Sequence, residues 1–489
     1  MSEFREEEDA LGLVRIPIDA LHGPQTQRAL DNLPFRQSPL PQDFIDAILM
    51  IKLAAARSHG ALNALPQARA DAIARACQSL LADPQRHRHF PLSRFQTGSA
   101  TSSHMNVNEV IATLASQALG SRLHPNDDVN LGQSSNDVVP SAIHISCHLA
   151  LQNQLLPALD EIRALLVRRS EELHDVIKTG RTHLMDALPI RFSQCLRSWE
   201  CQLAHHQNAL QQSLLPLAQL PLGGTAVGTG INAPVGFRKQ VHQELSQLTN
   251  IALSPAAHPG ALISALDPSL TLSGDLKGVA CALVKISNDL RWMNSGPNAG
   301  IGEIQLPELQ PGSSIMPGKV NPVVPEAVLM AASEVIGNDT TVTLAGQSGN
   351  FELTVMLPLV AEKLLGSIAL LTDAVTLLNR QALARFSLRH DAIEAPLARN
   401  PILVTALAPH IGYSQAAKIA KTAQASGRPI LEVAREMTDL ESAYLEALLS
   451  PEKMVDNNDA ADPETDRKPG ARNSQTEKKD REDPKPKED

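Results

Sequence analysis

AIHISCHLALQNQLLPALDEIRALLVRRSEELHDVI, residues 142 to 177, repeats apolar side chains at i, i+3, i+4 and i+7 over about 36 residues. That is well beyond an ordinary globular helix, so one long rod is expected here, with Pro157 bending it. Similar patterns run through 190–218, 263–294, 322–345 and 355–385, and five long helices imply an elongated bundle. Aromatic residues make up only 3% of the chain, so this bundle must be packed from Leu, Ala, Val and Ile. Its last helix contains LLGSIALLTDAVTLL (364–378), which has few polar positions to turn toward water. Such a surface calls for contact with another subunit.

Outward from the bundle, IDAILMIKLAAARSHGAL (45–62) and QARADAIARACQSLLAD (67–83) predict shorter helices of an N-terminal domain. VRIP (14–17) reads as a short strand, LHGPQTQRAL (21–30) as a polar entry segment, and HPNDDVN with GQSSND as the loops that close this region. The expected division is 1–135, mainly helical; 136–385, the bundle; 386–455, a small helical domain; and 456–489, a charged tail with no aliphatic residue larger than alanine and no aromatic residue, expected to be disordered.

The chain has 489 residues, 43% of them hydrophobic and 20% charged, as in an ordinary water-soluble globular protein. A formal net charge of −10 with no basic stripe speaks against a nucleic-acid partner. No uncharged run approaches the ~18 residues needed to cross a bilayer, and the acidic start MSEFREEEDALG is unlike a signal peptide. Cys77, Cys147, Cys195, Cys201 and Cys281 lack CxxC spacing and fall in helical segments, which reads as buried free thiols in a reducing compartment. The expected location is the cytoplasm.

Chemistry concentrates in GSSIMPGKVNP, residues 312 to 322. Gly312 and Gly318 allow the backbone to swing as a lid, and Ser313, Ser314, Lys319 and Asn321 supply hydroxyls, a cation and an amide. Asn321 reads as a helix N-cap and Pro322 as the first helical residue, so free N–H groups would face the same guest as Lys319. The expected guest is an anion.

This loop resembles the signature loop of the fumarase/aspartase superfamily, whose members make or break a C–O or C–N bond with release of fumarate. QTGSATSSHMNVNEV (96–110), HPNDDVNLGQSSNDVVP (124–140), GRTHLMDALP (180–189), LGGTAVGTGIN (222–232) and GNFEL (349–353) are similar, in the same order, to segments of class II fumarases. The resemblance spans roughly residues 1 to 455. It implies a mainly α, three-domain fold whose central five-helix bundle forms the core of a homotetramer, with active sites shared between subunits. A small dicarboxylate would be the substrate, and neither a metal nor a cofactor is required.

By this resemblance Ser313 matches the proton-abstracting serine, His183 the histidine on the other side of the reacting bond, and Glu326 the carboxylate that orients that histidine. Substrate carboxylates would be held by Ser99, Thr101, Ser134, Ser135, Asn136, Thr182, Lys319 and Asn321. Helix capping is the alternative role for these hydroxyl and amide residues, and Ser135 or Asn136 could serve in both. His124, Pro125, Asn126 and Asp127 match a second anion site of the family, and a plain turn accounts for them equally well. Ammonia-lyases of the superfamily usually carry glutamine where His183 stands, which tilts the reading from ammonia to water. Departures from the usual class II pattern are Ala100 for glycine, His104 for an amide, Met185 for glutamine and Gly132 for a frequent serine.

The resulting expectation is reversible hydration of fumarate to (S)-malate by a metal-free lyase. An ammonia-lyase acting on aspartate or a substituted aspartate, and a non-catalytic helical scaffold, are the alternatives.

Overall fold

A computed structural model describes residues 4–36 and 39–455; the expected disordered tail lies outside the described residues. The chain divides into two compact units, one made of Met1–Lys178 with Arg191–Pro396, the other joining Thr179–Ile190 to the chain from Leu397 onward.

The larger unit opens with an antiparallel hairpin, β1 (Phe4–Asp9) and β2 (Gly12–Pro17), in which Phe4 pairs with Pro17 and Asp9 with Gly12. The sequence signalled only its second strand. The charged first strand is held by Arg5, whose guanidinium donates to the carbonyls of Pro17, Ala20 and His22 at 2.7–2.9 Å. The expected polar entry segment is a helix, α1 (Pro24–Asn32). Its free N–H groups are met by Glu109, which accepts from Gly23, Gln25 and Thr26.

Then come α2 (Gln42–Ala61), α3 (Gln67–Ala82) and α4 (Thr101–Leu119), followed by α5 (Ser135–Ala150). Ser134 and Asp137 close a capping box at the start of α5. The long rod read from residue 142 onward is interrupted by a π-helical turn, Leu151–Leu155, before α6 (Leu156–Glu172) restarts with Pro157 in its first turn. Proline has no N–H for the preceding turn, and the wider turn absorbs the missing bond.

A second hairpin follows, β3 (Ile177–Thr182) and β4 (Met185–Arg191), and leads into α7 (Phe192–Leu217). Short parallel strands β5 (Gln219–Leu220) and β6 (Ser254–Pro255) flank α8 (Phe237–Thr249). After α9 (Pro259–Ser264) and α10 (Asp267–Met293), strand β7 (Ile304–Gln305) precedes α11 (Val323–Gly346) and α12 (Leu357–Leu378). Strand β8 (Ser387–Leu388) pairs with β7.

The five long rods form the expected bundle: α6 packs on α7, α7 on α10, α10 on α11, α11 on α12, and α12 returns to α5 and α6. Leu196, Leu203, Leu276, Leu283, Val328 and Leu364 are among the aliphatic side chains that fill it, all at most 1% exposed. Cutting one such leucine to alanine costs about 2–5 kcal/mol. Trp199 is the largest fully buried side chain, and its indole N–H reaches Asp289 at 3.2 Å.

The smaller unit has its own core around Leu403, Leu407, Ile419, Val433 and Leu445. After α13 (His390–Ala398) it contains α14 (Ala408–Ile411), α15 (Tyr413–Ser426), α16 (Ile430–Met437), α17 (Ser442–Leu449) and α18 (Pro451–Val455). Asn400 fastens strand β4 of the second hairpin to this unit by donating to the carbonyl of Ala187, at 2.8 Å.

The cysteine reading needs correction. All five are free, but only Cys77 and Cys147 are buried, while Cys201 and Cys281 are exposed on α7 and α10. Burial pushes the thiols of Cys77 and Cys147 up to about 12. No helix of the described residues is long and apolar enough to cross a membrane.

Candidate active site

The loop from Gly312 to Pro322 is tied at its base and open at its tip. The Gly312 N–H donates to the Lys319 carbonyl at 2.8 Å, and the Asn321 amide donates to the Gly312 carbonyl at 2.7 Å. A Cβ on residue 312 would lie 2.6 Å from the Lys319 carbonyl oxygen and 2.7 Å from the Asn321 nitrogen, so only glycine fits this closure. Gly318 takes φ +83°, in the left-handed region that glycine enters without strain, whereas Gly312 does not adopt a positive φ.

Within the loop, Ser313 Oγ accepts from the backbone N–H of Ile315 at 3.2 Å and of Met316 at 3.0 Å. Donors aimed at an oxygen favour its ionised form. Ile315 and Met316 are themselves 84% and 49% exposed, so the apolar part of the loop has nothing packed over it in this chain.

The N-cap expectation shifts by one residue. Helix α11 is preceded by Pro322, and the Asn321 side chain is occupied with the Gly312 carbonyl and with Lys319, whose Nζ donates to Asn321 Oδ1 at 2.8 Å. Lys319, Asn321 and Glu326, in the first turn of α11, line one cleft of about 1030 Å³ together with Arg291, Trp292 and Arg389. A loop cation and amide therefore share a hollow with the candidate carboxylate.

A second polar cluster forms where α4 and α5 begin. Ala100 precedes α4 with φ +57°, in the left-handed conformation that costs an L residue about 1 kcal/mol and glycine almost nothing. Next to it, Ser99 Oγ and Thr101 Oγ1 are 2.8 Å apart. Ser134 Oγ caps α5 by accepting from the Asn136 N–H, the Asn136 amide donates to the Ala226 carbonyl, and Ser135 Oγ lies 2.8 Å from His104 Nδ1. The capping alternative thus holds for Ser134, and the Asn136 side chain instead ties the 222–232 loop to the helix start.

Beneath this cluster lie two ionisable groups that sequence reasoning missed. Asp137 is fully buried and accepts from the N–H groups of Ser134, Gly223 and Thr225 at 2.8–2.9 Å. Burial raises its carboxyl to about 6 despite those donors and the nearby Lys52. Lys52, on α2, is 1% exposed and donates to Asn130 Oδ1 at 2.8 Å and Gln133 Oε1 at 3.0 Å. Burial lowers its ammonium to about 7, with Asp137 and Cys77 opposing the drop. A lone lysine inside LMIKLAAA was the available signal.

Thr182 and His183 belong to the smaller unit, on the β3–β4 hairpin. His183 and Leu184 form its two-residue turn with φ +54° and +62°, the geometry of a type I′ turn with no glycine in either place. Thr182, His183, Leu184 and Met185 are all exposed, which displays the imidazole at a strained tip. Ser99, Thr101, Ser134, Ser135, Asn136, Ser313, Lys319, Asn321 and Glu326 lie in the larger unit. Among the described residues no hydrogen bond joins the Ser99–Asn136 cluster to the 312–326 loop.

The segment from His124 to Asp127 forms a turn. His124 Nδ1 accepts from the Asn126 and Asp127 N–H groups at 3.2 and 3.3 Å, and Pro125–Val129 is one π-helical turn.

Comparison with known proteins agrees with the architecture. The chain matches a lyase family model over residues 12–337 and a fumarase C C-terminal model over 403–456. It is 53% identical over 455 residues to the class II fumarate hydratase 2 of Pseudomonas aeruginosa, covering 93% of this chain and 99% of that one. The chain belongs to the class II fumarase family.

A class II fumarate hydratase of Xylella fastidiosa is 51% identical over 453 residues, 93% of this chain and 96% of that protein. The crystal structure of a class II fumarase from Schistosoma mansoni superposes with a TM-score of 0.90 at 36% identity, covering 92% of this chain and 99% of that one. Within this class II fumarase chain, Ser313, Thr182 and His183 stand on the two most exposed candidate segments, the loop before α11 and the β3–β4 tip.

Proposed function

We propose that the protein is a fumarate hydratase, a carbon–oxygen lyase that interconverts fumarate and (S)-malate by anti addition and elimination of water. Ser313 carries this reading: a hydroxyl with two backbone N–H donors already aimed at its oxygen, on a loop whose base is closed through Gly312. A serine is too weak a base unless its oxyanion is held, and such donors hold it.

In the elimination direction Ser313 takes the proton beside one malate carboxylate. Charge then flows into that carboxylate as a dianionic aci form, which Lys319 and Asn321 stabilise once the loop closes and frees Lys319 from its Asn321 contact. His183 passes a proton to the departing hydroxyl, and Glu326 orients the imidazole and holds its charge. Ser99, Thr101, Ser134, Ser135, Asn136 and Thr182 bind the substrate carboxylates.

We further assign a homotetramer working in the cytoplasm, with 136–385 as the central domain between the domains 1–135 and 386–455. The lack, among the described residues, of any hydrogen bond between the Ser99–Asn136 cluster and the 312–326 loop supports sites composed from several subunits, as does the apolar stretch 364–378. Mixing inactive Ser313→Ala chains with inactive His183→Asn chains would restore part of the activity; an active monomer would contradict the assignment.

Purified protein supplied separately with malate, aspartate and argininosuccinate tests the reaction. Fumarate formation, read as rising ultraviolet absorbance, is expected from malate. Faster turnover of aspartate or argininosuccinate would move the protein to another branch of the superfamily, and no turnover of any of them would make it a scaffold.

A further inference from the structure

His104 stands at the end of the first turn of α4, 1% exposed, at a position where the resemblance to class II fumarases leads one to expect an amide. Its Nδ1 lies 2.8 Å from Ser135 Oγ, while its Nε2 is buried with no hydrogen-bond partner. Burial first, and Lys52 second, hold the imidazole well below its ordinary pKa, and the start of α4 adds the positive end of a helix beside it. The ring is neutral and has one N–H to place.

Two tautomers compete. With the proton on Nε2, a buried donor would be left unmatched and Ser135 would have to spend its own proton on Nδ1. With the proton on Nδ1, the ring donates to Ser135 Oγ and only an acceptor lone pair goes unmatched. Orphaned buried N–H groups are rarer than under-used acceptors, so the second arrangement is favoured. In that arrangement the Ser135 hydroxyl has its acceptor side filled and its proton free.

We propose that His104 is a positioning residue: through Nδ1–H it locks Ser135 as a hydrogen-bond donor aimed at a substrate carboxylate. Ser135 opens α5, where the helix N-terminus already favours negative charge, and a fixed O–H donor adds direction to that attraction. The usual amide would place an N–H at nearly the same point as Nδ1. The histidine departure therefore keeps the donor while changing the group that carries it.

The inference rests on the fumarate hydratase reading, and its test separates the two. Asparagine puts its amide near Nδ1 and glutamine near Nε2, so His104→Asn and His104→Gln report which ring nitrogen matters, and both are polar enough for the fold. The malate KM is expected to stay within about twofold for His104→Asn and to rise about tenfold for His104→Gln, with kcat nearly unchanged, the order of one hydrogen bond to a charged group. In a Ser135→Ala background the glutamine change should add nothing. Calorimetric Kd values for succinate, which cannot react, should follow the same order, so binding that behaves as described without malate turnover would count against the hydratase reading alone. Equal KM and Kd values for the two variants, a glutamine form that binds better than the asparagine form, full additivity with Ser135→Ala, or no succinate binding by the unmutated protein would overturn the role of His104.

Discussion

The backbone N–H of Met316 points at Ser313 Oγ from 3.0 Å, and the N–H of Ile315 from 3.2 Å. In the proposed mechanism these donors would supply part of the oxyanion support before any substrate arrives, while Lys319 is held 2.8 Å from Asn321 Oδ1. The base of the loop is tied through Gly312 and its tip is exposed, so the proposed mechanism requires the loop to move as a unit.

Two substitutions separate chemistry from loop shape. Ser313→Ala should lower malate turnover about a thousandfold, the range of a lost general base, while leaving melting and assembly unchanged. Gly312→Ala should also lower turnover, because its Cβ would meet the Lys319 carbonyl oxygen at 2.6 Å and force the loop base apart. Near-normal turnover in the serine variant would require another base.

At the hairpin tip, His183→Asn offers a variant that the backbone accepts, since asparagine tolerates the left-handed conformation that His183 adopts at φ +54°. Melting should therefore hold while malate turnover falls by about two to three orders of magnitude. A variant with unchanged turnover would remove the imidazole from the mechanism.

Lys52 gives a prediction about pH. Its ammonium titrates near 7 in the folded chain because of burial, against an ordinary value of 10.5. Between those values the unfolded chain holds a proton that the folded chain has released, so this residue makes stability rise with pH across the window, by up to about 1.4 kcal/mol per pH unit. Lys52→Met removes that dependence. Urea midpoints at pH 7 and pH 9 should accordingly climb more, or fall less, for the unmutated protein than for the methionine variant; identical slopes would mean that Lys52 is charged throughout.

The long rods were legible because each carries enough turns for its apolar period to stand out, and the π-helical turn before Pro157 was foreshadowed by the proline itself. Helix α1 and strand β1 were not. Their ends are satisfied by groups remote in sequence: Glu109 accepts from Gly23, 86 residues away, and Arg28 binds Asp9 across 19 positions. Local propensity cannot carry such pairings. The candidate site was readable as residue types in motifs, yet Asn321 turned back to Gly312 instead of capping α11, buried Lys52 lay in no motif, and nothing in the 124–140 motif singled out Asp137. Their roles come from what the fold wraps around them.

The most direct measurement supplies purified protein with fumarate in deuterated water and follows the product by proton NMR. The account predicts malate carrying a single deuterium on the methylene carbon, as one diastereomer, because water adds anti across the double bond with Ser313 and His183 acting from opposite faces. Malate formed as both diastereomers, or aspartate made from added ammonium faster than malate, would contradict it.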